Sequence, residues 1–294
     1  MSAEPSRPVP VRPGFLRRTR EHLRLYESAQ ILLPGLLGIL GQRSLPAAGV
    51  LVLYGAAYAS HVLSVYSFND YCDYETDADN PRKAGPSARS PTWLRNQTLA
   101  LTGVFLATVA FMPLGVRLLF VLDQVICMAY SHPRLRLKRR LLGSELAHFV
   151  AGSSYFLTGV LVAGGDARSQ WLGAVVFGLL YLSGGTFNEV MDHDADRTAH
   201  LRHLVVRAGP RRALALVVAV HYAAFALLAA YVPVPWMLAG GAVAVALYTV
   251  AALRVTRALH DPAGLLRFRS LYRLIFAALL GTLALSHVVA IAAG

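Results

Sequence analysis

The sequence predicts an all-α integral membrane protein, with nine transmembrane helices in a bundle around a central cavity. Three observations support this prediction. Hydrophobic residues make up 55% of the 294 positions and charged residues only 15%, the apolar residues gather in nine long runs, and the basic residues lie mainly between alternate runs. So apolar a composition exceeds what the core of a soluble domain of this length requires.

The nine apolar runs are each about 17 to 25 residues long, which is enough for a helix to cross the hydrocarbon core of a bilayer. The third and fourth runs are joined only by the turn MPLG. The predicted helices cover residues 25–42, 46–70, 95–113, 115–131, 143–164, 169–190, 210–231, 234–255 and 270–292. We therefore predict one membrane domain over residues 1–294, in which residues 1–24 form a basic cytoplasmic leader.

The basic residues predict the orientation, because Lys and Arg concentrate in cytoplasmic loops. With the N-terminus inside, 25 of the 28 basic residues fall on the cytoplasmic face, and only Arg43, Arg117 and Arg168 fall on the other. This split favours nine helices, and the high Arg and Ala usage suggests a bacterial inner membrane. Nucleic-acid binding is not expected, since the basic residues are spread over five loops instead of forming one patch.

Acidic residues gather in two similar motifs, which follow the second and sixth predicted helices. The first motif contains Asn69, Asp70, Asp73 and Asp77, and the second contains Asn188, Glu189, Asp192 and Asp196. The pattern recurs 119 positions later, which indicates an internal repeat of helices 1–4 and 5–8, with helix 9 as an addition.

Each motif places its Asn and its last two carboxylates on one face of a helix, because residues four and eight apart point the same way. Carboxylate and amide oxygens suit Mg²⁺, which is commonly held by one or two carboxylates together with substrate phosphates. Zinc is disfavoured, because the two cysteines do not have ligand spacing. The alternative, acidic loops that only solubilise the membrane surface, explains one cluster better than two matching clusters.

A basic segment, YSHPRLRLKRR at 130–140, follows the fourth predicted helix on the same face. Fixed Lys and Arg side chains together with metal ions stabilise charge that develops on phosphate oxygens. We therefore assign phosphate contacts to Arg136 and Lys138. The alternative is an ordinary cytoplasmic loop of a membrane protein, and this explains some of the basic residues.

Together these motifs resemble the UbiA-type intramembrane prenyltransferase superfamily. Its first acidic signature matches Asn69, Asp70, Asp73 and Asp77, its second matches Asn188, Asp192 and Asp196, and its Tyr/Lys loop matches Tyr130, Arg136 and Lys138. The nine-helix count and the positions of the motifs also agree with the family, so the resemblance covers nearly the whole chain.

The resemblance implies a prenyltransferase that uses Mg²⁺ to transfer a prenyl group from a prenyl diphosphate to a lipophilic or aromatic acceptor in the membrane, by ionisation to an allylic cation. It implies metal ligands at Asp73, Asp77, Asp192 and Asp196, and catalytic roles for Asp70, Asp73, Tyr130 and Lys138. It implies substrate contacts from Asn69, Arg136, Asn188 and Arg202.

The sequence departs from the family pattern in the segments that follow the two motifs. Glu189 stands where Asp is common, and RTAHLRHLVVRAG places His200 and His203 where the family often has Gly followed by Arg-Thr. RKAGPSARS lacks the RP pair that often follows the first motif. These departures affect the loop that shapes the polar cap, and with it the role of Arg202.

Polar residues inside predicted membrane helices are candidates for the acceptor site, because burying them in a membrane is costly. His61 precedes Asn69 by eight residues and Asp123 precedes Tyr130 by seven, so both lie one to two turns deeper on the motif-bearing faces. We predict that they line the acceptor pocket. The alternative is hydrogen bonding between helices.

Two other functions remain open from the residues. A terpene cyclase on the same scaffold would use prenyl diphosphate without an acceptor. A transporter or binding protein for a phosphorylated lipid would also show repeats and buried polar residues, although its polar residues are expected at the midplane and not at one face.

Overall fold

The computed structural model describes residues 25–42, 45–77, 89–198, 201–231, 235–257, 259 and 261–293. Regular structure in these residues is helical, and it includes nine long helices. They are α1 (Leu25–Leu40), α2 (Ala48–Cys72), α3 (Pro91–Val109), α4 (Leu114–Ser131), α5 (Gly143–Val162), α6 (Trp171–Thr198), α7 (Pro210–Tyr231), α8 (Pro235–Arg257) and α9 (Pro262–Ala293). Short helices occupy Tyr74–Asp77, Leu137–Arg139 and Leu204–Ala208. The predicted leader at 1–24 lies outside the described residues.

All nine long helices lie where the apolar runs predicted them, but several ends differ. α3 begins at Pro91, four residues before the prediction, because Ser90 Oγ accepts a hydrogen bond from the Trp93 amide at 3.2 Å and proline fits the first turn. α6 continues to Thr198 and α9 begins at Pro262, eight residues beyond and eight before the predicted limits. The second acidic motif is consequently helical, although the predicted helix ended at residue 190.

Six helices in the described part are long and apolar enough to cross a membrane. They are α2, α4, α5, residues 171–194 of α6, α7 and residues 239–257 of α8. The apolar part of α1 is shorter, Ile31–Leu40. The protein is therefore an all-helical integral membrane protein, whereas the predicted count of nine membrane-spanning helices is not shown.

The helices that carry the motifs are held together through α5. α5 packs extensively against α1, α4 and α6, and α2 packs against α3 and α4. α1 and α5 approach so closely that a Cβ added at Gly159 would lie 2.0 Å from the carbonyl oxygen of Gly35. One aromatic core surrounds Tyr58 and Phe120 in the first half of the chain, and a second surrounds Phe187 and Tyr248 in the second half.

Candidate active site

The first acidic motif meets the basic loop at the end of α2. Asp73 is 5% exposed, and its amide donates a hydrogen bond to the carbonyl oxygen of Asn69 at 3.0 Å. Lys138 Nζ forms an ion pair with Asp73 Oδ2, and Arg136 Nη2 lies 3.5 Å from Asp73 Oδ1. Lys138 also donates to Asn69 Oδ1 at 3.4 Å, as does Ser131 Oγ at 2.6 Å. Four of the predicted site residues therefore form one connected cluster.

A left-handed turn positions the basic side chains of this loop. Arg136 has φ of 42°, a region that non-glycine residues adopt at a cost, and the 3₁₀ turn Leu137–Arg139 follows it. Burial and the neighbouring Arg136 guanidinium lower the pKa of Arg139. The Nε atoms of Arg136 and Arg139 are buried and meet no hydrogen-bond acceptor among the described residues. Closely spaced cations with unmatched hydrogen-bond donors are the features of an anion-binding site.

The second acidic motif lies on the last turns of α6, where His203 bridges two of its carboxylates. His203 is buried, with Nδ1 3.1 Å from Glu189 Oε2 and Nε2 3.1 Å from Asp196 Oδ2. Burial alone lowers the pKa of His203, but its contacts with Asp196 and Glu189 outweigh this effect and raise the pKa to about 9. His203 is therefore a cation at neutral pH. The sequence placed it only in an unusual loop and assigned it no role.

Replacing His203 by glutamine is expected to destabilise the protein, because Glu189 and Asp196 lose their shared cation. Breaking a fully buried ion pair costs about 3–5 kcal/mol, and the partial exposure of Asp196 reduces the expected loss to about 1–3 kcal/mol. Thermal unfolding in detergent measures it. His193→Gln is the matched control, because His193 pairs at 3.0 Å with Asp194, whose side chain is 94% exposed. Equal melting temperatures for the two variants would contradict the bridging role.

Tyr130 stands where the two motifs converge. It is the next-to-last residue of α4, just before the basic loop, and the charges of Glu189, Asp73 and Asp196 act on its hydroxyl. Its ring packs edge-on against His148 with centroids 5.4 Å apart. The structure thus brings the predicted Tyr130 together with carboxylates from both repeats.

The other predicted site residues differ in how far they join this cluster. Asp70 is buried on α2, Asp192 is half-buried on α6, and Arg202 is exposed. Asp77 ends the short helix after α2, and its side chain lies outside the described part of the structure, as do His200 and most of RKAGPSARS.

His61 and Asp123 form a buried pair deeper in the bundle. Both are 0% exposed, and His61 Nε2 lies 2.8 Å from Asp123 Oδ2 and 3.0 Å from Tyr155 Oη. Gln124 Oε1 lies 2.5 Å from His61 Nδ1. The eight-residue separation from Asn69 places His61 about 12 Å along α2 from the first motif. The pair therefore links α2, α4 and α5 through Tyr155, as hydrogen bonding between helices would. Its role in the acceptor pocket stays a prediction.

The unmatched polar atoms in the described residues test whether Mg²⁺ and a diphosphate suit the site. Buried donors are unmatched on the basic loop, at the Nε atoms of Arg136 and Arg139. Buried acceptors are unmatched on α5 and α6, at both carboxylate oxygens of Glu145 and at Asn188 Oδ1. An anion beside the donors and a hard cation beside the oxygens would satisfy both sets. The residues present therefore fit a Mg²⁺-bound diphosphate.

Comparison with known proteins places this arrangement in a family. A family model described as the UbiA prenyltransferase family matches residues 31–276. A lycopene elongase/hydratase from Corynebacterium glutamicum is 28% identical over 188 residues, which cover 62% of this chain and 65% of that protein. The C(50) beta-cyclic carotenoids biosynthesis protein LbtBC from Dietzia is 30% identical over 203 residues, which cover 65% of this chain and 46% of that protein.

Solved structures share the fold at low sequence identity. An apo UbiA homologue from Aeropyrum pernix K1 has a TM-score of 0.71 and 24% identity, covering 90% of this chain and 98% of its own. A UbiA homologue from Archaeoglobus fulgidus bound to DMAPP and Mg²⁺ has a TM-score of 0.68 and 17% identity, covering 92% and 98%. Because the family model spans both acidic motifs and the basic loop, the chain belongs to the UbiA prenyltransferase family.

Proposed function

We propose that this protein catalyses the Mg²⁺-dependent transfer of a prenyl group from a prenyl diphosphate to a lipophilic acceptor within the membrane. The observation that carries the proposal is the meeting of the basic loop and both acidic motifs around Tyr130, with unmatched donors and unmatched acceptors on separate elements. The names of the relatives, a lycopene elongase/hydratase and a carotenoid biosynthesis protein, favour a long hydrocarbon acceptor over an aromatic one.

We assign each group of site residues a separate role in the reaction. Arg136 and Lys138 bind the diphosphate oxygens and stabilise the charge that grows as the bond from carbon to oxygen breaks. Asp73, Asp77, Asp192 and Asp196 would hold Mg²⁺, which neutralises charge on the leaving diphosphate. Tyr130 lies beside the bond that breaks, and Asp70 is the second catalytic residue there. The substrate is contacted by Asn69, Asn188 and Arg202. The apolar helices exclude water, so the acceptor's electron pair and not water reaches the allylic carbon.

We also infer a single domain over residues 1–294 with nine spanning helices around a central cavity. Its N-terminus and active-site loops face the cytoplasm, and the membrane is a bacterial inner membrane. The distribution of basic residues in the sequence supports this orientation.

Loss of the His61–Asp123 pair is expected to affect the acceptor and not the diphosphate. His61 lies against Tyr155 and pairs with Asp123, so we propose that the pair shapes the acceptor end by fixing that ring. Asp123→Asn and His61→Gln should raise the KM for the acceptor by about tenfold, equivalent to about 1.4 kcal/mol, with unchanged affinity for inorganic diphosphate. His221→Gln is the matched control, since His221 is a buried histidine that bonds Ser183 and Tyr248 instead. An equal loss of acceptor and diphosphate binding would disprove the assignment.

Incubation of purified protein with prenyl diphosphates of increasing length and Mg²⁺ tests the function. Diphosphate release and organic products are followed by mass spectrometry, first without an acceptor and then with a panel that includes an acyclic carotenoid and an aromatic acid. A prenylated acceptor supports the proposal. Terpene formed without an acceptor would establish a cyclase on the same scaffold. Binding of prenyl diphosphate with no release under any condition would favour a transporter or binding protein.

A further inference from the structure

Glu145 is a buried acidic residue beside the candidate site that the proposed mechanism does not use. It lies in the first turn of α5 and is 5% exposed. Neither of its carboxylate oxygens meets a hydrogen-bond donor from another described residue. Burying an ionised carboxylate without a partner is strongly unfavourable, so its position calls for a cation or a donor that another molecule supplies.

The surroundings of Glu145 indicate which kind of partner is missing. Asn188 Oδ1 on the adjacent helix α6 is likewise buried and unmatched. α5 and α6 pack closely at this end, because a Cβ added at Gly185 on α6 would lie 2.6 Å from His148 Nδ1 on α5. Glu145, about one turn before His148, therefore lies beside the second acidic motif, and the charge of Glu189 acts on its carboxylate. His203 lies between Glu189 and Asp196, 3.1 Å from each. The unmatched side-chain atoms contributed here by α5 and α6 are thus oxygens, and oxygens are the ligands of hard cations.

Burial disfavours the ionised form of Glu145, and its place at the start of α5 opposes that effect. A helix N-terminus carries partial positive charge and stabilises a carboxylate in its first turn. A divalent cation would supply the missing partner of the unmatched oxygens of Glu145 and Asn188.

We propose that Glu145 is a further carboxylate of the divalent-cation site, contributed by α5 and acting directly or through a bound water on the cation held by the second motif. The proposal rests on the proposed function, since it assumes that this motif binds metal. It adds a ligand from outside both acidic repeats and assigns a Mg²⁺-class cation to the oxygens of Glu145 and Asn188.

Direct titration with Mn²⁺, which shares the oxygen-ligand preference of Mg²⁺, tests this without relying on activity. Free Mn²⁺ is measured by electron paramagnetic resonance with full-length protein in detergent, with and without inorganic diphosphate. Glu145→Gln keeps the size and polarity of the side chain but removes its charge, and should raise the Kd for Mn²⁺ by about tenfold or more. Glu145→Asp, which keeps the charge, should lie between wild type and Glu145→Gln. Asp194→Asn is the matched control, because it removes one charge from an exposed residue of the same helix end.

The outcomes separate this proposal from the proposed function. If Glu145→Gln binds Mn²⁺ as tightly as wild type while Asp196→Ala does not, Glu145 is no part of the cation site and the inference fails alone. If wild-type protein binds no Mn²⁺ in either arm, the metal-dependent function and the inference fail together. Circular dichroism and size-exclusion profiles are recorded for each variant, and if Glu145→Gln is misfolded, an unchanged Kd in the folded Glu145→Asp variant overturns the proposal.

Discussion

Replacing Asp73 by asparagine is expected to reduce diphosphate release by at least about 100-fold, the scale at which loss of one charge-stabilising group affects catalysis. The carboxylate has two roles in the proposed site: it would bind Mg²⁺, and it would orient Lys138 and Arg136, which both contact it. Asparagine keeps the shape of the side chain but removes the charge that both roles require. Single-turnover release of diphosphate from a prenyl diphosphate measures the effect.

A double-mutant cycle with Lys138→Gln separates the two roles. If Asp73 acts only by orienting Lys138, the double variant will be no slower than the slower single variant, because coupled residues are not additive. If Asp73 also binds the metal, the double variant will be slower than either. Asp194→Asn, an exposed acidic residue on α6, should retain wild-type rates. Near-normal release from Asp73→Asn would remove the first motif from the mechanism.

The positions of the helices were predictable because a long run of apolar residues is visible in the local sequence without knowledge of the rest of the fold. The first and last residues of the helices were less predictable, because hydropathy does not include capping side chains such as Ser90 before α3. Polar residues can also extend a helix beyond its apolar run. α6 extends to Thr198 although its last turns carry three acidic residues. Nine spanning helices were predicted, and six helices of the described residues have the length and composition of a membrane span, while the described apolar part of α1 is shorter.

The sequence motifs predicted which residue types form the site, but they did not predict which side chains contact each other. Asn69, Asp73, Arg136 and Lys138 were assigned to one site from their residue types, and the structure brings them together across about 65 positions of sequence. His203 was missed because its role depends on a loop that folds back against α6, which spacing alone does not reveal. The orphaned oxygens of Glu145 are also visible only once burial is known.

Removing divalent cations should abolish prenyl transfer, with a loss of at least about 100-fold, because bound metal contributes several kcal/mol of charge stabilisation to a leaving phosphate and each 1.36 kcal/mol corresponds to a tenfold rate change. Product formation is measured after dialysis against a chelator and again after Mg²⁺ or Ca²⁺ is added. Mg²⁺ should restore activity fully. Ca²⁺ should restore it weakly, because its longer ligand distances of about 2.3–2.6 Å suit a different geometry.

A second measurement shows where the metal acts. Mg²⁺ that binds the folded state should raise the melting temperature of the wild-type protein, and the rise should be smaller in Asp196→Asn, which lacks one proposed ligand. Metal-independent turnover would leave the basic loop as the main source of charge stabilisation, with Lys138, Arg136 and Arg139 carrying the diphosphate charge alone. The acidic motifs would then serve chiefly to orient that loop through Asp73 and to anchor the end of α6 through His203.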